Sequence, residues 1–472
     1  MKPEGPEDAG RSKGARTEGV KTLLGDPRRA VIRLAIPMMV AMSVQTSYNF
    51  VDAIWVAGLG PDALAAVGFV FPFFFMATAL SAGLGIGSGS AISRRIGAQD
   101  KAGADNVGVH TIVIMLLVSA ILTVPFLVFA RTMFVGIGAG RTVDLATSYA
   151  RIIFAGIVII FFNNIASALL RGEGDARRSM YAIVLGAAAN VVLDPIFIYS
   201  MGLGVAGAAW ATIISMALTF ALLSFWIFVR KDTYVSFRFR DFRPDRSITA
   251  DILRVGIPAS FIQLEMSFMM LVMNFVTVNV GGTDGVAIFA GGWRVVTLGT
   301  MPLMGISTAV VSISGASYGA REYLKLDTSY MYAIRMGLII ETSVAVVVFL
   351  FAPQITALFT MTEEAARIRD GFVVFLRTAC IFFPGVAFGM FSSAMFQGIG
   401  RGIYALVLTT LRTLALTPVL AMVFAVALNR GLPGVWQGIV IGNLTGSAIG
   451  FAWGKTHING LIRAARPGDA QR

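Results

Sequence analysis

Long apolar stretches separated by short polar ones occupy most of this chain. Twelve stretches are each long enough to cross a hydrocarbon core of roughly 30 Å as a helix of about 20 residues. They lie at 34–58, 64–93, 106–130, 146–170, 179–200, 205–229, 250–279, 285–317, 327–351, 370–396, 403–427 and 434–455. The pattern therefore predicts an all-α integral membrane protein with twelve transmembrane helices.

The two halves of this pattern resemble each other. "AIPMMVAM" at 35 returns as "GIPASFIQ" at 256, "LRGEGDARRSMYAIVL" at 170 as "FQGIGRGIYALVL" at 396, and "LDPIF" at 193 as "LTPVL" at 416. Matched positions keep a nearly constant spacing, so the chain reads as two six-helix lobes related by a pseudo-two-fold axis along the membrane normal. The predicted units are a tail, an N-lobe, a linker, a C-lobe and a second tail: 1–33, 34–229, 230–249, 250–455 and 456–472.

Composition and charge agree with a membrane protein. Of the 472 residues, 56% are hydrophobic and 14% charged, and the mean hydropathy of +0.77 is too high for a soluble domain. The net charge of +12 does not indicate nucleic-acid binding, because most Lys and Arg residues fall in the tails, the linker and the loops on the same side. By the positive-inside rule, both termini and the linker are predicted to be cytoplasmic.

Few residues could support covalent or metal chemistry. The single cysteine, Cys380, excludes an intramolecular disulfide, and His110 and His457 are too far apart in the sequence to indicate a metal cluster. No nucleophile accompanied by a base or a metal triad is visible, so the sequence does not indicate an enzyme. It indicates no cofactor either.

Acidic residues inside the spans are the strongest functional signal. An ionised carboxylate at mid-membrane costs roughly 2.5–3.5 kcal/mol, so each one needs a partner or a function. Four lie well inside predicted spans: Asp52, Asp194, Glu265 and Glu341.

Two of these carboxylates sit on polar helix faces. One face of the first span carries four polar residues: Gln45, Tyr48, Asn49 and Asp52. Asn190 and Asp194 share a face of the fifth span, and Thr212 of the sixth could add a hydroxyl. If these faces meet, desolvation and mutual repulsion disfavour two charges at once, as a proton carrier requires. The same oxygens could instead bind Na⁺, or the carboxylates could simply hydrogen-bond to neighbouring helices.

The repeat favours a functional role for this pair. The matched C-lobe residues carry no charge: Thr417 for Asp194, Thr413 for Asn190, and Met273 or Asn274 for Asp52. Since the fold does not need carboxylates at these positions, we expect the pair to carry function.

Other candidates lie around a predicted cavity between the lobes. Glu265, Met269 and Met273 share one face, which either accepts apolar cations or fills gaps between helices. Adjacent buried amides at Asn163 and Asn164 are further cavity candidates. For Glu341, a local hydrogen bond is expected. Prolines inside spans favour kinks. Pro37, near the inner end of the first span, is a predicted hinge, and Pro195, directly after Asp194, is predicted to distort the helix there and is a second hinge candidate.

The segment "LRGEGDARRSMYAIVLGAAANVVLDPIFIY", continued by "GLGVAGAAWATIIS", resembles the signature of the multidrug and toxic compound extrusion (MATE) transporters, closest to the prokaryotic DinF-like branch. The resemblance implies export of organic cations and other amphipathic compounds in exchange for inward H⁺ or Na⁺. It also implies a monomer, in contact with small-molecule substrates and membrane lipids, in a prokaryotic cytoplasmic membrane.

The resemblance also carries over to particular residues. It implies an N-lobe cation site at Asp52, Asn190, Asp194 and Thr212, with a cavity beside it lined by Gln45, Tyr149 and Asn163. Glu265 stands where the NorM-like branch has a coupling glutamate. The tenth span has no acid beyond Asp370 at its edge, so a NorM-type Na⁺ site in the C-lobe is not expected.

The main alternative is a flippase of polyprenyl-linked saccharides or other lipids. That function would require a basic cavity for diphosphate, and three arginines fall in C-lobe spans: Arg294, Arg377 and Arg412. A passive channel is a further alternative, although no loop resembling a selectivity filter is visible.

Overall fold

A computed structural model describes residues 17–237 and 242–465, and all regular elements within these ranges are helices. Residues 1–16 and 466–472 of the two predicted tails lie outside the described residues. The first half contains α1 (Glu18–Leu24), α2 (Pro27–Ala57), α3 (Pro61–Gly97), α4 (Lys101–Gly136), α5 (Val143–Ala155), α6 (Ile157–Gly172), α7 (Ala176–Pro195) and α8 (Gly204–Ser224).

The second half repeats this plan. It contains α9 (Arg246–Gly319), α10 (Tyr323–Leu350), α11 (Ala352–Phe359), α12 (Glu363–Ala366), α13 (Arg369–Ala379), α14 (Phe383–Gly398), α15 (Gly402–Thr410), α16 (Thr417–Met422) and α17 (Gly431–Ala464). Short π-helical turns extend or join these helices at Ile196–Ser200, Phe225–Arg230, Leu411–Leu416 and Val423–Ala427.

The helices account for the twelve predicted spans. In the described residues, eight helices are long and apolar enough to cross a membrane, and two bent pairs, α5 with α6 and α13 with α14, raise the number to ten. The 74 residues of α9 form two arms, because Gly282 leaves helical geometry with φ 59° and ψ −153°. The second arm covers the eighth predicted span, 285–317, and raises the number to eleven; α17 covers the last predicted span, 434–455, and makes twelve.

Several helices extend beyond the predicted spans or bend within them. The helix of the first span, α2, begins at Pro27 rather than at 34, because Asp26 caps it by accepting the backbone N–H of Arg29 at 2.9 Å and proline suits the first helical position. The hydropathy pattern predicts continuous fourth and tenth spans, yet these bend by 47° and 54° between their component helices. The last helix continues to Ala464, well into the predicted tail.

The linker between the halves is bound to the N-lobe. We call the end of the bundle where residues 231–237 lie the linker end, and the opposite end the far end. Glu173, in the turn after α6, accepts the backbone N–H groups of Tyr234 at 2.8 Å and Val235 at 2.7 Å. Burial raises the pKa of Glu173 to about 7, although these two hydrogen bonds favour the charged form. His110 Nε2 accepts the N–H of Asp245, the residue before α9.

The lobes pack tightly against each other at the linker end. Gly97 of α3 lies against the backbone of Ala316 in α9, and Gly319 of α9 lies against the backbone of Arg94 in α3. These two contacts are equivalent under the internal repeat, so the helices cross about the pseudo-two-fold axis with a glycine from each. Close by, the Ser90 hydroxyl donates to the carbonyl of Gln397 at 2.6 Å across the lobe boundary.

The hydrophobic core divides toward the far end. The largest buried cluster includes residues of both lobes, among them Ile96, Ile313 and Phe396 at the linker end. A separate cluster fills the C-lobe around Phe289 and Trp436. The lobes are therefore joined at the linker end, and the C-lobe keeps its own core farther out.

Candidate functional site

The predicted carboxylate pair forms in the N-lobe. Asp194 lies in the last turn of α7 and is 0% exposed, and it accepts a hydrogen bond from Asn190 Nδ2 at 3.1 Å. Asp52, near the far end of α2, is close enough for the two carboxyl groups to interact directly. The two polar faces predicted from the sequence therefore do meet.

Close packing of α7 on α8 positions Asp194. Gly186 lies against the hydroxyl of Thr219, and Gly207 lies against the backbone of Phe197, so the segment with Asn190 and Asp194 is held between two glycine contacts. Pro195 ends the α-helical hydrogen bonding, and a π-helical turn follows at Ile196–Ser200. The backbone is thus irregular directly beside the carboxyl group.

The pair retains unused oxygens. Asp194 Oδ2 and Asn190 Oδ1 are buried and have no hydrogen-bond partner among the described residues. The hydroxyl of Thr212 donates to Ala208 in its own helix at 3.0 Å, so it retains lone pairs. Within residues 17–237 and 242–465, no group of three or more His, Cys, Asp or Glu side chains is arranged to hold a metal ion. Unpartnered oxygens beside two carboxyl groups fit a proton or a small hard cation.

Two tyrosines lie beside the pair. Tyr48 and Tyr149 are both close to Asp52 and Asp194, and Gln45 lies near Tyr48. Asn49 is exposed rather than buried. The structure thus brings most of these residues together, while their contact with a substrate stays a prediction.

The adjacent asparagines contact different helices. Asn163 is buried and its amide donates to the carbonyl of Met216 in α8 at 2.8 Å, whereas Asn164 donates to the hydroxyl of Ser81 in α3 at 2.9 Å. Asn163 Oδ1 remains buried without a partner among the described residues. Both amides tie α6 to its neighbours, and a substrate role for either residue stays a prediction.

In the C-lobe, Glu265 has partners that the sequence did not reveal. The hydroxyl of Thr410 donates to Glu265 Oε1, and the Arg412 guanidinium lies near the same carboxylate. Met269 and Met273 are almost completely buried in the C-lobe core, where they pack between helices.

The expectation for Glu341 is wrong. This side chain of α10 is 0% exposed, and neither of its carboxyl oxygens has a hydrogen-bond partner among the described residues. Four residues away, Gly337 lies against Ala387 and Phe391 of α14, so this stretch of α10 packs on an apolar helix surface. An unpartnered carboxyl group there is stable only when it is neutral.

The remaining candidates lie apart from the pair. Pro37 is buried inside the continuous helix α2, and Gly305 of α9 lies against Met39 close by, so a hinge at Pro37 stays a prediction. Arg294 and Arg377 are exposed, and Arg377 lies over the ring of Phe349, which matches side chains that extend toward an interface.

Sequence reasoning missed one aromatic contact beside the pair. The hydroxyl of Tyr199, in the π-helical turn after Asp194, donates to the carbonyl of Trp55 at 2.6 Å, and the two rings meet edge to face. Trp55 follows Asp52 by three positions and Tyr199 follows Asp194 by five. An aromatic residue about one helical turn after each aspartate was the available signal.

The family model MatE matches residues 37–196 and 258–423, which are corresponding parts of the two lobes. The chain belongs to the MatE family. It is thus a membrane transporter related to multidrug exporters.

Relatives of this MatE protein cover nearly its full length. The multidrug export protein MepA of Staphylococcus aureus (strain N315) is 27% identical over 418 residues, which cover 88% of this chain and 90% of MepA. A structure described as the outward-facing conformation of a multidrug resistance MATE family transporter of the MOP superfamily is 50% identical, has a TM-score of 0.89, and covers 94% of this chain and 99% of its own.

A third relative of this MatE protein is a MOP superfamily transporter from Pyrococcus furiosus Vc1 (DSM3638). It is 50% identical, with a TM-score of 0.90, and covers 94% of this chain and 99% of its own. Its structure is described with the statement that the reverse polarity of its binding pocket suggests a different function.

Proposed function

We propose that this protein exports organic cations and other amphipathic small molecules by alternating access, driven by inward flow of H⁺. The observation that carries the proposal is the Asp52–Asp194 pair, which occurs in one lobe only and retains a buried, unpartnered oxygen among the described residues. Similarity to a multidrug export protein and to a multidrug resistance transporter supports the substrate class.

The coupling step follows from the cost of burying charge. Two interacting carboxyl groups hold two charges poorly, so one proton neutralises the pair and removes a desolvation penalty of several kcal/mol. A difference of about 5.5 kcal/mol suffices to move a two-state equilibrium from 1:99 to 99:1. Proton entry therefore has enough free energy to reshape the substrate cavity and release the drug.

We assign the proton rather than Na⁺ as the driving ion. The Asn190 amide directs an N–H at Asp194 Oδ1, which fills a position that a sodium ion would need. Na⁺ would compete with that amide for Asp194 Oδ1, and would be bound by Asp52, Asn190, Asp194 and Thr212. Transport measured with each gradient alone separates the two ions.

We further propose an orientation and a state. The linker end is cytoplasmic, in a prokaryotic plasma membrane, with both termini on that side, because the basic residues concentrate there. Lobes that are packed tightly together at the linker end then correspond to a transporter closed to the cytoplasm.

Thiol labelling of intact cells tests the orientation. The Ser236→Cys variant, in a chain that also carries Cys380→Ala, should resist a membrane-impermeant thiol reagent added from outside and should react once the cells are permeabilised. Rapid labelling of the Ser236→Cys variant in intact cells would contradict this orientation.

The function is tested with purified protein in vesicles. We expect uptake or release of a fluorescent organic cation only when a pH gradient is imposed, with no response to a Na⁺ gradient at constant pH. The Asp194→Asn variant should be inactive in the same vesicles. Movement of the dye without any gradient would indicate a channel and would overturn the proposal.

A lipid flippase is the second candidate, because the pocket of the Pyrococcus furiosus relative is described as having reversed polarity. Of the three arginines that favour this function, Arg412 alone reaches the C-lobe interior, and it lies beside Glu265. A diphosphate would meet a single cation there, with a carboxylate close by. Translocation of a fluorescent polyprenyl diphosphate saccharide, without transport of organic cations, would favour the flippase.

A further inference from the structure

A cavity of about 770 Å³ opens at the linker end, where the two lobes meet. The N-lobe contributes Arg94 and Arg95 from the last turn of α3, and the C-lobe contributes Asp251, Tyr318 and Arg321. Three guanidinium groups face one carboxylate, so the lining carries a net positive charge. The tyrosine adds a hydroxyl donor to a wall already suited to anions.

The arginines differ in the partners they already have. Arg94 pairs with Asp251 across the lobe boundary at 2.7 Å, and Arg95 pairs with Asp100 at 2.8 Å. Arg321 is exposed and forms no ion pair within the described residues. Its guanidinium is therefore the one whose charge is free for a ligand.

The internal repeat shows that the turn itself does not require this arginine. Arg321 adopts a left-handed backbone conformation with φ 58°, and its counterpart Gln99, in the equivalent turn of the N-lobe, has the same φ of 58°. Both residues accept a conformation that favours glycine or asparagine. Since the two turns have the same shape, the charge of Arg321 is not needed for folding and calls for another explanation.

A second cavity, of about 580 Å³, adjoins the first and shares Arg321, Tyr323 and Ala465 with it. It extends past Ile462 to Leu324, whose side chain is 70% exposed at the outer surface of the bundle. Its lining also includes the ion pair of Lys325 and Glu322 at 3.2 Å, so the basic cavity continues into a groove with both apolar and charged walls. A free phosphate ion would have no use for the apolar part of this groove, whereas acyl chains would.

We propose that the basic cavity binds the phosphate group of an anionic phospholipid from the leaflet at the linker end, with its acyl chains lying over Leu324 and Ile462. Guanidinium groups bind phosphate through paired, charge-assisted hydrogen bonds, and basic pockets between transmembrane helices on the cytoplasmic side take such headgroups. Arg321 is the main ligand, and Arg95 and Tyr318 complete the site.

Binding has a conformational consequence. The phosphate contacts side chains of both lobes, so it favours the arrangement in which the lobes are joined at the linker end. Separation of the lobes there would pull Arg95 away from Arg321 and break the site. Anionic lipid therefore stabilises the state that the structure shows, whichever ion drives transport.

The test measures lipid retention by native mass spectrometry of the full chain in a neutral detergent. Wild-type protein should retain phosphatidylglycerol in preference to phosphatidylcholine. Arg321→Gln installs the residue that Gln99 already shows to fit this turn, and should weaken phosphatidylglycerol binding about tenfold, as expected from losing a charge-assisted hydrogen bond. Arg28→Gln removes an exposed arginine at the start of α2, outside both cavities, and should change binding by less than about twofold.

Several outcomes would overturn the proposal. Equal retention of phosphatidylglycerol by wild type and Arg321→Gln, or an equal loss in Arg28→Gln, would show that the cavity does not select the lipid. Complete displacement of phosphatidylglycerol by millimolar inorganic phosphate would assign the site to free phosphate. If Arg321→Gln does not fold, Arg95→Gln is measured in the same way and is expected to weaken binding.

Discussion

At the position where the N-lobe carries Asp194, the C-lobe carries Thr417, and both side chains are 0% exposed. The hydroxyl of Thr417 donates to the carbonyl of Arg412 at 2.8 Å, so its hydrogen-bond donor is satisfied by nearby backbone. Asp194 instead keeps one oxygen without a partner among the described residues and faces a second carboxyl group, that of Asp52. At equivalent positions of the two lobes, the buried polar side chain is therefore hydrogen-bonded in the C-lobe and only partly hydrogen-bonded in the N-lobe.

In the C-lobe, the buried Glu265 has a hydroxyl partner and a cation nearby. It accepts from Thr410 at Oε1 and Arg412 lies near, although Glu265 Oε2 has no hydrogen-bond partner among the described residues. We infer that a buried carboxylate is more available for ion exchange where no positively charged side chain lies near it. The N-lobe meets this condition at its carboxyl pair, and the C-lobe does not at Glu265.

The largest effect is expected from neutralising the N-lobe pair. Asp194→Asn and Asp52→Asn should each reduce gradient-driven efflux at least about tenfold, because coupling loses a term of several kcal/mol. Transport is measured in vesicles, and folding is checked by size-exclusion elution. Thr417→Ser, the matched C-lobe change, should transport like wild type. If both aspartate variants export drugs at wild-type rates with wild-type pH dependence, the carboxylates are structural.

Weakening the contacts of Glu265 should affect stability first. Glu265→Gln removes a negative charge near Arg412 and weakens the hydrogen bond from Thr410, which should cost about 1–3 kcal/mol. We expect a clear drop in the thermal unfolding midpoint, and a partial recovery in the double variant Glu265→Gln/Arg412→Gln.

The same single variant also tests a role for Glu265 in holding cations. Binding of organic cations should weaken more than binding of neutral substrates. Unchanged stability together with an equal loss of both substrate types would contradict both roles.

The linker contact offers a pH-dependent comparison between the lobes. Burial raises the pKa of Glu173 to about 7, whereas its repeat counterpart is Ile399. A raised carboxyl pKa means that the neutral form is favoured by folding, so this stabilisation is full below the unfolded pKa and is lost as pH rises through about 7. The thermal unfolding midpoint of the wild-type protein should decrease as the pH is raised from 6 to 8. In Glu173→Gln the midpoint should depend less on pH. An identical slope in both proteins would assign it to another group.

The smallest effect is expected at Glu341. Since its buried carboxyl group has no partner among the described residues and is stable only when neutral, Glu341→Gln should change the free energy of unfolding by less than about 1 kcal/mol. Glu341→Leu removes the unsatisfied oxygens and should raise the unfolding midpoint. A marked loss of transport in Glu341→Gln, at unchanged stability, would show that this carboxyl group exchanges protons.

The sequence predicts much of the fold because hydrophobic length and repetition are local signals. It also predicts that Asp52 and Asp194 meet, since two polar faces in an apolar bundle have few other places to turn. It does not predict the Arg412 partner of Glu265, because the two residues lie far apart in the chain and no periodicity links them. Nor does it predict the breaks at Gly156 and Gly282, because a glycine inside an apolar run looks the same whether a helix continues or bends.

The crossing of Gly97 and Gly319 sets a limit on how this protein can diversify. Each glycine lies against the backbone of the other half, so a side chain added to either one pushes the halves apart at the closed end. Because the same backbone contact serves both lobes, a substitution in either lobe disturbs both at once. Sequence change at this crossing is therefore constrained in the two halves together.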